Sequence, residues 1–323
     1  MKQVSIVIPT YNRVELLPRV TEGLRHQTGD IDYEVIFVID GANDGTKEYL
    51  DSVAIQYPGL FRVFFIEPTG GASTPRNVGI RHATGKILII LDDDVIPDPD
   101  LVLQHWNFHR DHPAREVAVL GEAYVPGDVQ TDPMCVFHAI QFYEARKLEH
   151  LTYFHFWTCN VSLKRDFMLE YGMFDESIPQ YEDVECGYRL HLHGMKLHFV
   201  PQARGSHLHK LSPTAVPRKG VINGHWLFRA VECIPDLEFK KRCGIFSPEV
   251  PVASLIRTAI LRSIFYLVAN PITFLILRAS GAEKPKRSRV SDLYYLLIYR
   301  RNMLAGYYEA KRAFELTSAP LPA

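Results

Sequence analysis

Three consecutive carboxylates, Asp92–Asp94, are the residues of this sequence whose spacing points most directly to chemistry. They follow the apolar run Ile87–Leu91, whose length and composition predict a strand buried on both faces. Pro97 and Pro99 come next and predict that a turn ends the strand. Open α/β sheets bind ligands at the carboxyl ends of their strands, and a hard divalent cation removes the repulsion between adjacent carboxylates. We therefore predict a metal and substrate site here.

Two other interpretations of these aspartates are a solvated acidic turn and a calcium loop held by Asp98 and Asp100. The calcium-loop spacing, with its glycine at the sharp turn, is absent from this stretch. The position directly after a buried strand favours the metal and substrate site.

The elements that position these residues follow an alternating pattern. Apolar runs bounded by turn residues predict strands at Val4–Ile8, Glu34–Ile39, Phe61–Ile66 and Ile87–Leu91. Helical segments lie between them, and the third helix has Pro75 in its first turn, a favoured position for proline. Strands that alternate with helices on short loops predict an α/β fold with parallel strands.

The pattern is looser after residue 100. Helices are predicted at 105–112, 137–148 and 181–193, and strands at 117–125, 154–163 and 196–200. The strand predicted at 154–163 is rich in aromatic residues.

Composition narrows the function classes. The chain has 323 residues and a net charge of −1, so no global field attracts nucleic acid, and we expect no nucleic-acid partner. Its 5 cysteines are odd in number and contain no Cys-x-x-Cys pair, which predicts neither a disulfide framework nor a zinc ribbon and fits a cytoplasmic protein. The first strand begins almost at once, so we expect no signal peptide. Neither a dinucleotide-binding Gly-x-Gly-x-x-Gly nor a phosphate-binding P-loop follows a strand.

Six motifs in order give the chain a family resemblance. They are Val4–Arg13, Val38–Thr46, Arg76–Ile80, Leu91–Asp94, Gly172–Glu176, and Glu182–Glu185 with Arg189. Over residues 1–210 the chain resembles the family 2 glycosyltransferases. The resemblance implies a GT-A fold, with a Rossmann-like and mostly parallel central sheet flanked by helices. It also implies inverting transfer from a nucleotide-sugar, usually a UDP-sugar, with Mn²⁺ or Mg²⁺. The acceptor would be a hydroxyl of a saccharide or lipid-linked molecule, in polysaccharide or glycoconjugate synthesis.

Two residues at the ends of neighbouring strands suit recognition of a nucleobase. Tyr11 can stack on a base, and Asp40 can accept a hydrogen bond from a ring N–H such as that of uracil. The alternative is a turn tyrosine and a strand-ending aspartate. The resemblance assigns base recognition to Asp40, although the family often has two adjacent aspartates here and Ile39 replaces the first.

The resemblance implies that further residues contact the donor. Pro9 and Arg13, in the same motif as Tyr11, are expected to line the donor site. Arg76 matches an arginine that faces the nucleotide, and its alternative is a solvated helix residue.

The resemblance divides the roles of the aspartates. It assigns Asp92 to the ribose and Asp94 to the metal, while Asp93 supports the strand end within the substrate site. His207 follows a strand at the spacing of a metal-binding histidine in many family members, with His209 in reserve. The alternative is a histidine packed beneath the site.

Asp183 is the predicted catalytic base, by its match to the Glu-Asp pair of the family, and Glu182 is expected to orient substrate. A carboxylate early in a helix is stabilised in its charged form, so we expect Asp183 to be ionised at neutral pH. The alternative is that both residues only complement the helix dipole. Trp157 and Asn160 lie in the acceptor-side segment, where the competing interpretation is a core strand.

The resemblance fades beyond residue 210. We therefore expect a catalytic domain at 1–210 and a mainly helical region at 211–323. The apolar stretch 252–277 is interrupted by arginines and Pro271, and its uninterrupted piece between Arg262 and Arg278 falls short of the roughly 20 residues of a spanning helix. An apolar helix face followed by the basic cluster 284–289 predicts contact with the inner face of a membrane. A cap over the active site or a surface for homo-oligomer formation are the alternatives.

Three other functions remain open at this stage. A nucleotidyltransferase could use a similar sheet and aspartates, but it would have no use for Asp183 as a base toward a sugar acceptor. A non-catalytic nucleotide-sugar-binding protein would keep Asp40 and Asp94 without turnover. A membrane-attached interaction protein would depend on the C-terminal third alone.

Overall fold

The predicted alternation of strands and helices is present in the computed structural model, which describes residues 2–127, 129–208, 211–245, 252–284 and 286–318. In the described residues the strands are β1 (Val4–Thr10), β2 (Tyr33–Asp40), β3 (Phe61–Ile66), β4 (Ile87–Leu91), β5 (Val95–Pro97), β6 (Val117–Tyr124), β7 (Asn160–Lys164) and β8 (Lys196–His207).

Helices connect these strands and make up most of the C-terminal third. The helices are α1 (Leu17–Arg25), α2 (Thr46–Gln56), α3 (Ser73–His82), α4 (Leu101–Asp111), α5 (Val136–Ala145), α6 (Arg165–Phe167), α7 (Glu182–Leu192), α8 (Val216–Cys233), α9 (Leu237–Cys243), α10 (Val252–Val268), α11 (Pro271–Ala279) and α12 (Arg289–Ser318). A π-helical turn, Met168–Gly172, follows α6 directly.

The strands form one mixed sheet in the order β3-β2-β1-β4-β7-β6-β8-β5. The pairs β1–β2, β2–β3, β1–β4 and β6–β8 are parallel, while β7 runs antiparallel to β4 and β6, and β5 runs antiparallel to β8. All five residues of β4 are buried, as the run of Ile and Leu predicted. The expected α/β fold, with helices beside a largely parallel sheet, is therefore confirmed.

Two local predictions are wrong. The prolines do not end the strand before the aspartates, because β4 ends at Leu91 and Val95–Pro97 then pairs with β8 as the edge strand β5, ahead of the turn at Pro99 and Asp100. Proline is tolerated on an edge strand. The aromatic segment 154–163 is a strand only from Asn160, and Tyr153–His155 forms a 3₁₀ turn that begins at Thr152.

The chain folds into two compact units. The described residues of Met1–Pro126 and His138–His209 form the first, which contains the sheet, and those of Gly127–Phe137 and Lys210–Ala323 form the second. In the second unit α8 and α12 pack closely at Gly224 and Gly306. A side chain at either position would collide with the backbone of the other helix, so glycine allows the close approach.

The helices α10 and α11 carry many of the exposed apolar side chains of the second unit. Among the described residues no single helix is long and apolar enough to cross a membrane. Ala259–Val268 and Pro271–Ala279 together have the length and composition, with a bend of 51° at the break between them.

Candidate active site

The loops after β1, β2 and β4 meet at one edge of the sheet, because these three strands are parallel neighbours. The first two loops are bonded to each other. The backbone N–H of Asn43 donates to Asn12 Oδ1 at 2.8 Å, and the N–H of Arg13 donates to Thr46 Oγ1 at 3.0 Å. Asn12 has a φ of 51°, a left-handed conformation that asparagine tolerates. This edge carries the residues predicted for the donor.

Asp92, Asp94 and His207 converge after β4 and at the end of β8. One potential ligand atom from each lies within 4.8 Å of those of the other two. His207 lies beside the aspartates because its backbone pairs with Val95, the residue that follows Asp94. Its Nε2 is 3.1 Å from Asp94 Oδ1. Two carboxylates and an imidazole are ligands that Mn²⁺ accepts readily, so the residues fit the expected metal.

Arg13 lies against the aspartates. Its Nε is 3.2 Å from Asp93 Oδ1, and its Nη2 is 3.4 Å from Asp94 Oδ2. Asp93 is buried, and desolvation together with the charge of Asp94 raises its pKa to about 7. Arg13 thus offsets the repulsion within the aspartate turn.

Arg76, on α3, joins the aspartate turn to α7. The guanidinium is buried, and it donates from Nη1 to Glu182 at 2.6 Å and from Nη2 to Asp92 at 3.1 Å. It also lies 5.5 Å from the centre of the Phe174 ring. The alternative of a solvated helix residue is therefore wrong for Arg76.

The α3 helix is held against the segment before α7. Asn77 donates to the carbonyl of Phe174 and to Glu176 Oε1, both at 2.9 Å, and accepts from the N–H of Phe174. Arg189 clamps the same segment from α7 by donating to the carbonyls of Tyr171 and Met173. The sequence motifs contain Asn77, Glu176 and Arg189, but only the contacts reveal that these side chains position Arg76 and Glu182.

Asp183 is half-buried in the first turn of α7, and the N–H of Val184 donates to its Oδ1 at 2.8 Å. Desolvation and the charge of Glu182 outweigh Arg76 and that hydrogen bond, and raise the pKa of Asp183 to about 7. The helix start predicted a carboxyl that is ionised at neutral pH, whereas a pKa of about 7 leaves it only partly ionised there. Tyr181, the residue directly before α7, has a φ of 65°, a strained conformation for a bulky residue.

The predicted base-binding residues differ in exposure. Tyr11 is 55% exposed at the end of β1, next to the half-buried Pro9. Asp40 is buried and accepts hydrogen bonds from the N–H and hydroxyl of Thr69, at 2.7 and 2.9 Å, and from the N–H of Gly70 at 3.3 Å. Asp40 thus organises the loop after β3, while Oδ2 keeps capacity for a further donor.

Trp157 and Asn160 are placed differently from the acceptor-side prediction. Asn160 is fully buried, and its amide bonds to the Ala203 carbonyl at 2.8 Å and to His105 at 2.9 Å. Trp157 is 8% exposed and packs edge-on against Phe142 at 5.3 Å. In this structure both side chains pack inside the fold, as their competing interpretation predicted. His209, the reserve ligand, lies outside the described residues.

The sequence profile of glycosyl transferase family 2 matches residues 5–172, more than half of the chain. The chain belongs to this family. The resemblance drawn from the six motifs is thereby confirmed.

Two relatives in the family are 33% and 29% identical to the chain over the residues that align. Validoxylamine A glucosyltransferase of Streptomyces hygroscopicus subsp. jinggangensis is 33% identical over 229 residues, which cover 60% of this chain and 52% of that protein. The uncharacterized glycosyltransferase YfnE of Bacillus subtilis is 29% identical over 240 residues, covering 59% of this chain and 61% of that protein. The chain thus spans about half to three fifths of these relatives.

Solved structures share the GT-A fold. The mannosyltransferase PcManGT from Pyrobaculum calidifontis, in complex with GDP-Man and Mn²⁺, has a TM-score of 0.62 and 18% identity, covering 95% of this chain and 87% of that one. TarS 1-349 of S. aureus, in complex with UDP, has a TM-score of 0.54 and 15% identity, covering 99% and 93%. The nucleotides in these two structures differ.

Proposed function

We propose that this chain is a metal-dependent, inverting glycosyltransferase that moves a sugar from a nucleotide-sugar to a hydroxyl group of a saccharide or lipid-linked acceptor. The observation that carries the proposal is the convergence of Asp92, Asp94 and His207, joined through Arg76 to the carboxylates that begin α7. We further propose that residues 1–210 carry out transfer and that residues 211–323 form an accessory helical region.

The donor side is assigned from the strand ends. Asp94 and His207 would hold Mn²⁺ or Mg²⁺, which when bound neutralises charge on the departing nucleoside diphosphate. Asp92 is fixed by Arg76 at 3.1 Å and would contact the ribose. Arg13 holds Asp93 and Asp94 in place, so it orients the turn that supports the donor.

We propose that the nucleotide is uridine diphosphate. Tyr11 is exposed enough to stack on the base, and Oδ2 of Asp40 can accept the ring N–H of uracil. Guanine also offers a ring N–H, and the two structural neighbours hold different nucleotides. The comparison of UDP with GDP is therefore part of the test.

Asp183 is proposed as the base that takes the proton of the acceptor hydroxyl. Its pKa of about 7 suits this task, because a general base works best when its pKa lies near the operating pH. Glu182 is held by Arg76 and keeps the start of α7 in place.

We also propose that α10 and α11 contact a membrane surface. Large apolar side chains there are exposed to between 40% and 73%, and they include Ile260, Leu267, Ile272, Leu275 and Ile276. The sequence 252–279 contains no Asp or Glu, and basic residues follow it at Lys284, Lys286 and Arg287. Such a surface suits lipid with anionic headgroups.

The experiment that tests the function is a transfer assay with a panel of nucleotide-sugars and saccharide acceptors, with Mn²⁺ or with a chelator. We expect transfer with inverted anomeric configuration that requires the metal. A nucleotidyltransferase would instead release pyrophosphate from a nucleoside triphosphate, and a non-catalytic binder would show metal-dependent binding without turnover. Either result contradicts the proposal.

A further inference from the structure

A cavity lies at the edge of the first unit where β4 begins, opposite the candidate active site. Its volume is about 880 Å³, and its wall includes the side chains of Lys86, Trp106, Arg110, Arg115, Lys164 and Arg165. Leu91, at the other end of β4, leads to the aspartate turn. The cavity is therefore separated from the candidate active site by the length of that strand.

Charge in this cavity is mainly positive. Five of the lining side chains are Lys or Arg, whereas Asp166 is the acidic residue in the wall. Arg110 and Arg115 pair with neighbouring acids, Arg110 with Asp111 at 2.9 Å and Arg115 with Glu170. Lys86 and Lys164 form no ion pair within 4.0 Å in the described part of the chain. The positive charge is thus only partly balanced.

Two of the cations are held in unusual surroundings. The ammonium of Lys164 donates to Nδ1 of His109 at 2.8 Å and to the carbonyls of His109 and His112 at 3.3 and 3.1 Å, so its hydrogen-bond partners are neutral, while the charge of Glu116 acts on it from farther away. Desolvation lowers its pKa to about 8. Nε of Arg165 is buried and has no hydrogen-bond partner among the described residues, and its Nη1 is 3.7 Å from Asp166. A buried donor without a partner is costly, so the guanidinium of Arg165 is not fully satisfied by the described residues.

A buried chain of hydrogen bonds, which starts at Lys164 and runs into the fold, holds the Lys164 side chain in place. His109 bonds to Ser162 at 2.9 Å, Ser162 to His105 at 2.7 Å, and His105 to Asn160 at 2.9 Å. Burial lowers the pKa of His105 to about 4 and that of His109 to about 2, so both imidazoles are neutral near pH 7. With Lys164 as the first donor, each group in the chain donates to the next, which holds the ammonium at the cavity wall.

We propose that this cavity is a second ligand site, which binds a small organic molecule carrying a phosphate group. Arg165 and Lys164 supply the donor and the charge for the phosphate, as in charge-assisted recognition. Trp106 and the apolar side chains of Ile87 and Pro113 supply a wall for a ring. This site is separate from the donor site and does not depend on the proposed function.

The test uses phenyl phosphate and inorganic phosphate as probes, titrated calorimetrically into the full chain with a chelator present. We expect saturable binding at one site, tighter for phenyl phosphate, and weaker at high salt because charge is screened. Arg165→Gln and Lys164→Gln should each weaken binding roughly tenfold, the scale of a hydrogen bond to a charged group. Arg19→Gln, which removes an exposed arginine elsewhere in the first unit, should leave binding unchanged.

A catalytic-site control separates this site from the active site. Asp94→Asn should bind phenyl phosphate as the wild type does. Loss of binding in Asp94→Asn with retention in Arg165→Gln would assign the probe to the donor site and overturn the proposal. Absence of saturable binding to the wild type would overturn it as well.

A folding control is needed to show that the cavity variants lose affinity and not structure. If Arg165→Gln loses its circular dichroism signal, Arg165→Lys keeps the charge without Nε and should show an intermediate affinity. Affinity equal to the wild type in folded Arg165→Lys and folded Lys164→Gln would contradict the assigned contacts.

Discussion

The guanidinium of Arg76 donates a hydrogen bond to Glu182 over 2.6 Å, although the two residues are 106 positions apart in the sequence. The same guanidinium reaches Asp92 at 3.1 Å, so one buried cation spans the aspartate turn and the start of α7. Its charge also opposes the rise in the pKa of Asp183. The donor side and the proposed base are thereby coupled electrostatically.

We expect Arg76→Gln to move the pH profile of transfer to higher pH. Without the cation, the carboxyl of Asp183 is harder to ionise, so its pKa rises above about 7. The measurement is kcat/KM against pH. Turnover at neutral pH should fall by roughly tenfold or more, since a buried charge partner is lost.

Arg62→Gln is the matched control for Arg76. Arg62 pairs with the buried Glu34 at 2.8 Å, near the beginning of β3 and away from the strand ends that carry the site. Its replacement should change stability without moving the pH profile. An unmoved profile in a folded Arg76→Gln variant would contradict the proposed coupling.

Removal of Asp94, the proposed metal ligand, should abolish metal-dependent donor binding. Asp94→Ala leaves His207 and Asp92 without the central carboxylate of the group, so calorimetry should show the same weak UDP affinity with Mn²⁺ and with a chelator. Asp98→Asn is the control, because Asp98 lies four residues later and pairs with Arg204 at 2.9 Å outside this group. Activity that survives chelation in the wild type would remove the metal from the mechanism.

Much of the donor side could be predicted from the sequence because it depends on local rules. Parallel strands with buried apolar runs end at one edge of a sheet, and this places Tyr11, Asp40 and Asp92 at the same edge. The convergence of His207 with Asp94 also agrees with the predicted ligand pair.

The acceptor side could not be predicted in the same way, since it depends on packing between distant segments. The side chain of Asn160 bonds inward to the buried His105, and the pKa of Asp183 is set by desolvation, then by Glu182 and Arg76. Local periodicity contains no information on either environment. The short strand β5 could not be predicted for the same reason, because its partner β8 lies about a hundred residues later in the sequence.

Asp40→Asn should narrow the preference for UDP over other nucleotides. Asparagine keeps one oxygen for the N–H of Thr69, while its NH₂ group would face the ring N–H of the base and repel it. Calorimetry with UDP, GDP and ADP measures the preference. Asp44→Asn is the control, because Asp44 lies in the same loop as Asp40 but accepts from the N–H groups of Thr46 and of Val14, which follows β1. Equal binding of all three nucleotides to the wild type would contradict base recognition.

The apolar surface of α10 and α11 should bind anionic vesicles. The wild type should co-sediment with them at low salt and be released in part at high salt, because screening weakens the attraction of the basic residues. Leu267→Glu with Ile276→Glu should abolish co-sedimentation. Ile55→Glu is the control, since Ile55 is 81% exposed in the first unit. Concentration-dependent dimers without vesicle binding would instead assign this surface to a second copy of the chain.

Asp183→Asn should remove the function of the proposed base while leaving the rest of the site unchanged. Asparagine keeps the size of the side chain and can accept from the N–H of Val184, but it cannot take up the acceptor proton. Turnover with the true acceptor should fall roughly a hundredfold or more, the scale of general-base loss, while UDP and Mn²⁺ affinities stay near those of the wild type. Glu182→Gln should cost less, since Glu182 acts through Arg76.

The same variant should be more stable than the wild type at high pH. The folded-state pKa of Asp183 is about 7, above its ordinary value, so the free energy of unfolding of the wild type falls as pH rises toward 7 and then levels off. Asp183→Asn has no such loss, and its advantage in Tm, measured with a chelator, should widen over that range.

In the wild type kcat/KM should rise as pH increases through about 7, since only the ionised carboxyl is a base. A folded Asp183→Asn variant with wild-type turnover would transfer the role of base to Glu182 or Glu185.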